Sequence, residues 1–429
     1  MGLFIDKLSR IYYNTEKKSA SEGNNDMTPS IYELMDQIGC KTWPERWKDI
    51  YEDVMTAFET QGCPMTDPGH IAALAEQYSL LTEQKELYQE AALSVRSQEP
   101  LARLLALLCA ALADPEHRDS DLAQFMPVYA TDENPNLGLN MLTGLALLSQ
   151  MPECYRNLKA IGLPEEEIVR TMRIPEITVG LFQKLHHGAP GFHRLHWYQR
   201  TIKGHLFRVG RLEIELPTLF TGRAQVFQNA GGEILSLGHE RRLHASGIAL
   251  GSRSAEEETG AWEANVDETE THWIGYPFGK NGLITGEKVS LSKSEWKKIL
   301  SRNDPAVALH IPEGGSLNPA VVTESLTQIR AFLKTWFPEY TYSAFTCVSW
   351  LVNPEVAVLL GPDSNISKFS TLFHPLTHKA SGISVFPFVF HRSVPEDFGE
   401  LPENTRLERA LKAHYLSGKV LHEMYGFFL

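Results

Sequence analysis

The sequence predicts an α+β protein in which an irregular, all-helical N-terminal part precedes a mixed α/β part that carries an insertion. Three observations predict it. Apolar residues recur at helical spacing, almost without interruption, from Ile31 to about His187. Near Pro190 the pattern changes, and period-2 alternation begins at Leu206. Between Ala306 and Pro354 the chain reads strand, Gly-rich loop, helix, strand. The expected divisions are a loose leader over residues 1–30, a helical domain over 31–187 and a mixed domain over 188–429, with the insertion at about 222–303.

Residues 15–30 (TEKKSASEGNNDMTPS) are polar and read as a loose leader. The helical segments then follow: Ile31-Leu34-Met35-Ile38, Trp47-Ile50-Tyr51-Val54-Phe58, Ile71-Leu74-Leu80-Leu81, Leu87 to Val95, Leu101 to Leu112, Leu137 to Leu148, Ile168 to Met172 and Val179 to Leu185. Pro, Gly or Asp-Pro breaks separate most of them, and no fixed period relates them, so this is no repeat solenoid. Its His70 and His117 stand alone beside turn residues and read as surface histidines.

Composition narrows the function classes. A chain of 429 residues holds a large core and predicts two or three domains. A net charge of −13 disfavours generic binding to nucleic acid or to an anionic membrane. Five scattered cysteines without CxxC spacing indicate neither a disulfide framework nor a structural metal site, and fit a reducing cytoplasm. Leu101 to Ala113, the most apolar run, contains Arg103 and is too short to span a bilayer, so it reads as a buried helix. The N-terminal apolar residues are too few for a signal peptide. The expectation is a cytoplasmic protein with no metal; the sequence leaves its oligomeric state open.

From Lys184 to Arg211 there are six basic residues, five histidines (His186, His187, His193, His196, His205) and no acid. This local positive stretch, with Arg208 and Arg211 at its end, reads either as a site for an anionic ligand or as a basic edge paired with Glu213 and Glu215. Leu206 to Leu216 reads as a strand bent at Gly210. In the insertion, Ala255 to Glu270 carries seven acids and no base, most simply a solvated loop that can also screen the basic stretch. Ser292 and Glu295 form a capping-box pattern that predicts a short helix over SEWKKIL.

The central unit carries the chemistry. Val307, Leu309 and Ile311 alternate with Ala308 and His310, and Pro312 ends the strand. Gly314, Gly315 and Ser316 form a permissive loop, Leu317 follows, Asn318 suits a helix N-cap, and Pro319 suits the first helical position. The helix runs to Phe337, and Phe345 to Val352 is the next strand. Its free N–H groups make the turn a candidate anion site, with a plain β-to-α turn as the alternative. Beyond it, Pro354 to Leu360 reads as a short helix, Ile383 to Phe390 as a strand, and Leu407 to Tyr415 as a helix.

HIPEGGSLNPAVVTESLTQIRAFLKTWFPEY, FTCVSWLVNPEVAVLL, PDSNISKF and LPENTRLERALKAHYLSG resemble the C-terminal GNAT-like domain of a bacterial acyltransferase-like family. HRLHWYQRTIKGHLFRVGRLEIEL resembles the start of that domain, and the helical part resembles the N-acyltransferase N-terminal domain that accompanies it. The resemblance implies acetyl-CoA or another acyl-CoA as co-substrate. Residues Gly314, Gly315, Ser316, Leu317 and Asn318 would lie at the pyrophosphate, with Arg208 and Arg211 as further coenzyme contacts, and the fifth strand would splay from the fourth to admit pantetheine. The loop departs from the usual Arg or Gln followed by Gly-x-Gly or Gly-x-Ala.

Acyl transfer to an amine needs a base, a donor to the thioester carbonyl and an acid for the thiolate. The resemblance places His310 beside the splay as base; a structural strand histidine is the alternative. No Tyr occurs between Tyr342 and Tyr415, which leaves Ser349, Ser364 and Cys347 as weak candidate acids, Cys347 reading more readily as a small core residue. Two function classes follow: an acyl-CoA-dependent N-acyltransferase acting on a small amine, or a non-catalytic GNAT-like module that binds a ligand or protein partner.

Overall fold

The structure, a computed structural model, describes residues 29–250, 260–378 and 382–429. The leader up to residue 28 and the acid-rich residues 251–259 lie outside the described residues. The chain divides into two compact units, the first ending at Gly204 and the second beginning at His205.

In the first unit Ser30 caps the Ile31–Ile38 helix through a capping box with Glu33. At its core are Glu99–Ala113, the predicted apolar run, and Leu137–Leu148, whose side chains are almost all buried. Asp121 knits the periphery: it accepts from Trp47 Nε1 at 3.0 Å and from Arg46 Nη2 at 2.6 Å. The sequence reading divides the chain at 187/188, and the first compact unit runs on to Gly204. The reason is the Leu195–Ile202 helix, which is tied into this unit. Asn157 Nδ2 donates to Ile202 O at 2.7 Å, and Cys154 Sγ lies 3.5 Å from Thr201 O.

The second unit is built on a six-stranded sheet whose order is β1 (Leu206–Val209), β2 (Leu212–Leu219), β11 (Pro305–His310), β12 (Ala344–Ser349), β14 (Met424–Phe428) and β13 (His374–Thr377). β1 (Leu206–Val209) and β2 (Leu212–Leu219) are two antiparallel strands rather than one bent strand. Gly210, at φ +60, makes the turn, and a Cβ there would come within 2.7 Å of Ser325 Oγ and Gln328 Oε1. The insertion follows as β3 (Ala224–Asn229), β4 (Ile234–Gly238), β5 (Arg241–Leu243), β6 (Trp262–Ala264), β7 (Asp267–Glu268), β8 (His272–Gly275), β9 (Val289–Ser292) and β10 (Trp296–Leu300), in three small sheets. The expected SEWKKIL helix is instead β10, paired with β3 from Trp296↔Asn229 to Leu300↔Val226. Ser292 Oγ meets Ser294 rather than capping Glu295, and burial of Leu300 against the strand outweighs the local capping pattern.

β11 (Pro305–His310), the Pro319–Trp336 helix and β12 (Ala344–Ser349) form the expected crossover, the two strands being parallel neighbours. β12 ends at Ser349 instead of Val352, because Ser349 Oγ accepts from Leu351 N and starts a turn. Helices Glu355–Leu360 and Arg406–Leu416 form where expected. Ile383 to Phe390 is no strand: Phe386–Phe390 is a π-helical turn whose Phe386 ring stacks on Tyr415 at 5.0 Å. The strand in this region is β13 (His374–Thr377), and β14 (Met424–Phe428) lies between it and β12.

Candidate active site

β11 pairs differently on its two sides. With β2 its register runs to Leu309↔Ile214 and His310↔Glu213. With β12 it stops at Ala308↔Thr346, although β12 continues to Ser349. The strands therefore part after Ala308, while β12 remains paired with β14 over Phe345–Ser349. An apolar side chain on an interior strand is normally covered, yet Val348 is 47% exposed at this parting.

Side-chain alternation sorts the candidates by face. Phe207, Ile214, Leu309, Phe345 and Cys347 belong to the face covered by the crossover helix. Phe207 meets Phe332 at 5.4 Å, and Arg330 lies over Phe345 at 5.4 Å. Arg208, Glu213, Glu215, His310 and Val348 belong to the other. On that face His310 Nε2 lies 2.8 Å from Glu215 Oε2, both side chains remaining partly accessible. Next to them Arg208 Nη1 lies 3.5 Å from Glu213 Oε1. Burial pushes the Glu213 carboxyl above its usual range, against the opposing pull of Arg208 and His310. A polar row thus crosses three strands, from Arg208 through Glu213 and Glu215 to His310.

After His310 the chain turns at Pro312 into the loop. Gly314 and Gly315 take φ +83 and +73, values that favour glycine, and a Cβ at Gly315 would sit 3.2 Å from Arg211 Nε. Arg211 holds this loop from the β1–β2 turn: Nη1 donates to Pro312 O at 2.8 Å and Nη2 to Gly315 O at 3.2 Å. Its backbone N–H donates to Ser325 Oγ on the helix at 2.9 Å. Burial, reinforced by Arg208, lowers its pKa. Asn318 Oδ1 accepts from Ala320 N at 2.9 Å, so the expected cap is present. Ser316 Oγ accepts from Asn318 N at 3.1 Å and from Asn365 Nδ2 at 3.2 Å, which brings the DSNISKF segment to the loop. Leu317 is buried and anchors the loop from below.

The sequence-derived candidates thus fall into separate groups. His310 stands at the parting of the strands, and Gly314 to Asn318 lead from it to the helix N-terminus. Arg208 and Arg211 are both engaged, one with Glu213 and the other with loop carbonyls, in keeping with the reading in which the basic edge pairs internally. Cys347 is buried on the opposite face from His310, its thiol pushed up to about 12 by burial. Ser349 Oγ and Ser364 Oγ act as helix caps, accepting from Leu351 N and Ser367 N. Tyr425 lies beside Val348 across β12 and β14, its hydroxyl accepting from Thr221 N at 3.1 Å.

The His310–Glu215 pair and the role of Asn365 were missed from the sequence. The Glu-Ile-Glu alternation at 213–215 was the available signal, because it puts two carboxylates on one face of β2. Among the described residues no group of His, Cys, Asp and Glu is arranged to hold a metal ion, and no helix is long and apolar enough to cross a membrane.

Residues 206–428 match the family described as GNAT-like C-terminal domain. Three solved structures share the fold at 18% identity. One, an acyltransferase in complex with decanoyl-CoA, matches with TM-score 0.50 over 84% of this chain and 87% of its own. A mutant acyltransferase in complex with octanoyl-CoA matches at 0.54 over 93% and 99%. An acyltransferase in complex with decanoyl-CoA and teicoplanin matches at 0.54 over 92% and 97%. No curated protein sequence matches the chain.

Proposed function

The chain belongs to the GNAT-like C-terminal domain family, and from that premise we propose that it is an acyl-CoA-dependent N-acyltransferase acting on a small amine. The observation that carries the reading is the parting of β11 and β12 after Ala308, with the His310–Glu215 pair at its mouth. An open seam between two parallel strands offers unpaired backbone N–H and C=O groups to the amides of a pantetheine arm. The helix N-terminus beyond Gly314–Asn318 offers its dipole and free N–H groups to the pyrophosphate. Arg211 serves there by shaping the loop.

In the reaction the neutral amine attacks the thioester carbonyl, His310 accepts the N–H proton, the C–S bond breaks as the amide forms, and the leaving thiolate takes that proton from the imidazolium to give the thiol of CoA. Glu215 holds the imidazole by one nitrogen, orients it and stabilises the imidazolium that forms. The acyl-CoA bound by structural neighbours, and the teicoplanin bound beside it in one, support an acyl-CoA donor and a small-molecule acceptor here. Five unpaired cysteines suit a reducing compartment such as the cytoplasm. A second reading, a non-catalytic acyl-CoA-binding module, is favoured by one observation: Cys347, one of the candidate acids, is buried on the face of the sheet away from His310, its thiol pushed up by burial to about 12.

The deciding experiment measures release of free CoA thiol from acetyl-, octanoyl- and decanoyl-CoA across a panel of amines, beside the thermal shift each donor produces. Turnover supports the enzyme. Thermal shift without turnover supports the module, and neither outcome with any donor would remove both readings.

A further inference from the structure

The opening between β11 and β12 has walls of unlike character. In the paired part of the two strands Ala306 stands opposite Ala344 and Ala308 opposite Thr346, so the next residues on that face, His310 and Val348, would be partners had the strands stayed together. They flank the gap instead. On the β11 side the wall is charged and polar, with Arg208, Glu213 and Glu215 leading across to His310. On the β12 side it is apolar: Val348 lies next to Tyr425, and Leu376 follows on β13.

Tyr425 and Leu376 are covered. They belong, with Ala306, Ala344 and Phe427, to the apolar cluster that joins this face to the insertion, and Val348 stands outside it. A β-branched side chain is thus left 47% exposed at the inner edge of the gap, level with the base. Lone apolar residues at a surface call for no explanation, but this one is on an interior strand, at the opening where the thioester would lie. We infer that Val348 seats an aliphatic acyl chain and is the residue by which this protein selects a medium-chain acyl-CoA over acetyl-CoA. The inference rests on the acyl-transfer reading. An amine beside His310 attacks a carbonyl held at the β11 wall, and even paired strands lie about 4.8 Å apart. Across a wider gap the single methyl of an acetyl group falls short of Val348, whereas a chain of several methylenes crosses the gap and covers it. A dicarboxylic acyl group would bring its free carboxylate to the same apolar wall and lose its hydration there.

The test is calorimetric titration of the full chain with free CoA and with acetyl-, butyryl-, octanoyl- and succinyl-CoA. Affinity should rise from acetyl- to octanoyl-CoA, by up to about fourfold for each methylene buried, with succinyl-CoA no tighter than acetyl-CoA. Val348→Thr keeps the branched shape and the strand preference but puts a hydroxyl against the chain, so the ratio of octanoyl- to acetyl-CoA affinity should fall about tenfold, and further in Val348→Asp. The position is half-exposed, so folding should tolerate both, and the threonine variant decides the matter if the aspartate variant fails to fold. Equal affinities for acetyl- and octanoyl-CoA in the wild type, or an unchanged ratio in Val348→Thr, would overturn the inference while acyl-CoA binding stands. Equal weakening of free CoA and octanoyl-CoA in Val348→Thr would overturn it too, by assigning Val348 to the pantetheine arm. Binding of none of these compounds would remove the acyl-transfer reading itself, and this inference with it.

Discussion

Two histidines, one in each unit, show how little a residue type says without its surroundings. His193 belongs to the histidine-rich stretch that the sequence makes conspicuous. Its neighbour Phe192 is pinned by an N–H bond to Asn140 O and by Thr143 Oγ1 donating to its carbonyl, both at 2.9 Å. Both His193 ring nitrogens are buried without partners, and burial, then Arg194, His186 and His196, push its pKa down to about 4. His310 is less conspicuous, ending a strand of apolar residues. There a carboxylate 2.8 Å away and a parted strand pair give it a proton-handling partner and an approach. Chemistry follows the partner and the opening, and a cluster of histidines in sequence is no substitute.

That contrast is open to attack at several points. The largest effect is expected for His310→Gln, which keeps reach and polarity but cannot take a proton near neutral pH. Acyl transfer should fall about a hundredfold or more, with the acyl-CoA thermal shift preserved. Full turnover in this variant would place His310 with His193 among the structural histidines. For Glu215→Gln we expect kcat to fall about tenfold with KM little changed, since the imidazole is then held by a weaker, uncharged partner.

On the His193 side the effect is on stability. Its folded pKa is depressed, so between pH 6.5 and about 4 the unfolded chain binds the extra proton, and stability is lost as pH falls through that window. From pH 7.5 to 5 the loss amounts to about 2 kcal/mol. Urea unfolding of His193→Phe should show a shallower acid-side decline than the wild type, with activity unaffected; parallel declines would mean His193 is solvated.

Smaller effects concern the frame around His310. Gly315→Ala forces a side chain into the left-handed region against Arg211, at a cost of about 1 kcal/mol, and should weaken acyl-CoA in a thermal-shift titration more than it lowers the melting midpoint. Cys347→Ala is expected to leave kcat/KM nearly unchanged, because the thiol is on the other face of the sheet. A large loss of activity there would reopen the choice of acid.

Local information was enough for much of this protein. Helical periodicity, Pro and Gly breaks and the Asn318-Pro319 start located the principal helices, and the period-2 run before Pro312 located β11, because these patterns depend on neighbours within a few residues. The same reasoning failed at Trp296–Leu300, where pairing with β3 overrode a capping pattern, and at Phe386–Phe390, where aromatic packing on Tyr415 drew a β-branched and aromatic run into a π-helical turn. The Leu195–Ile202 helix joins the first unit through partners 47 and 45 residues earlier, Cys154 and Asn157, which no local pattern announces.

What the sequence by itself determined is the class of the fold, the crossover unit and the candidate histidine at its edge. What only the tertiary structure decided is which groups stand together: Glu215 beside His310 across 95 residues, Arg211 on the loop carbonyls, and Cys347 on the far face. Strand order and register bring residues distant in sequence to neighbouring positions, and no periodicity within a single segment encodes which strand will lie beside it.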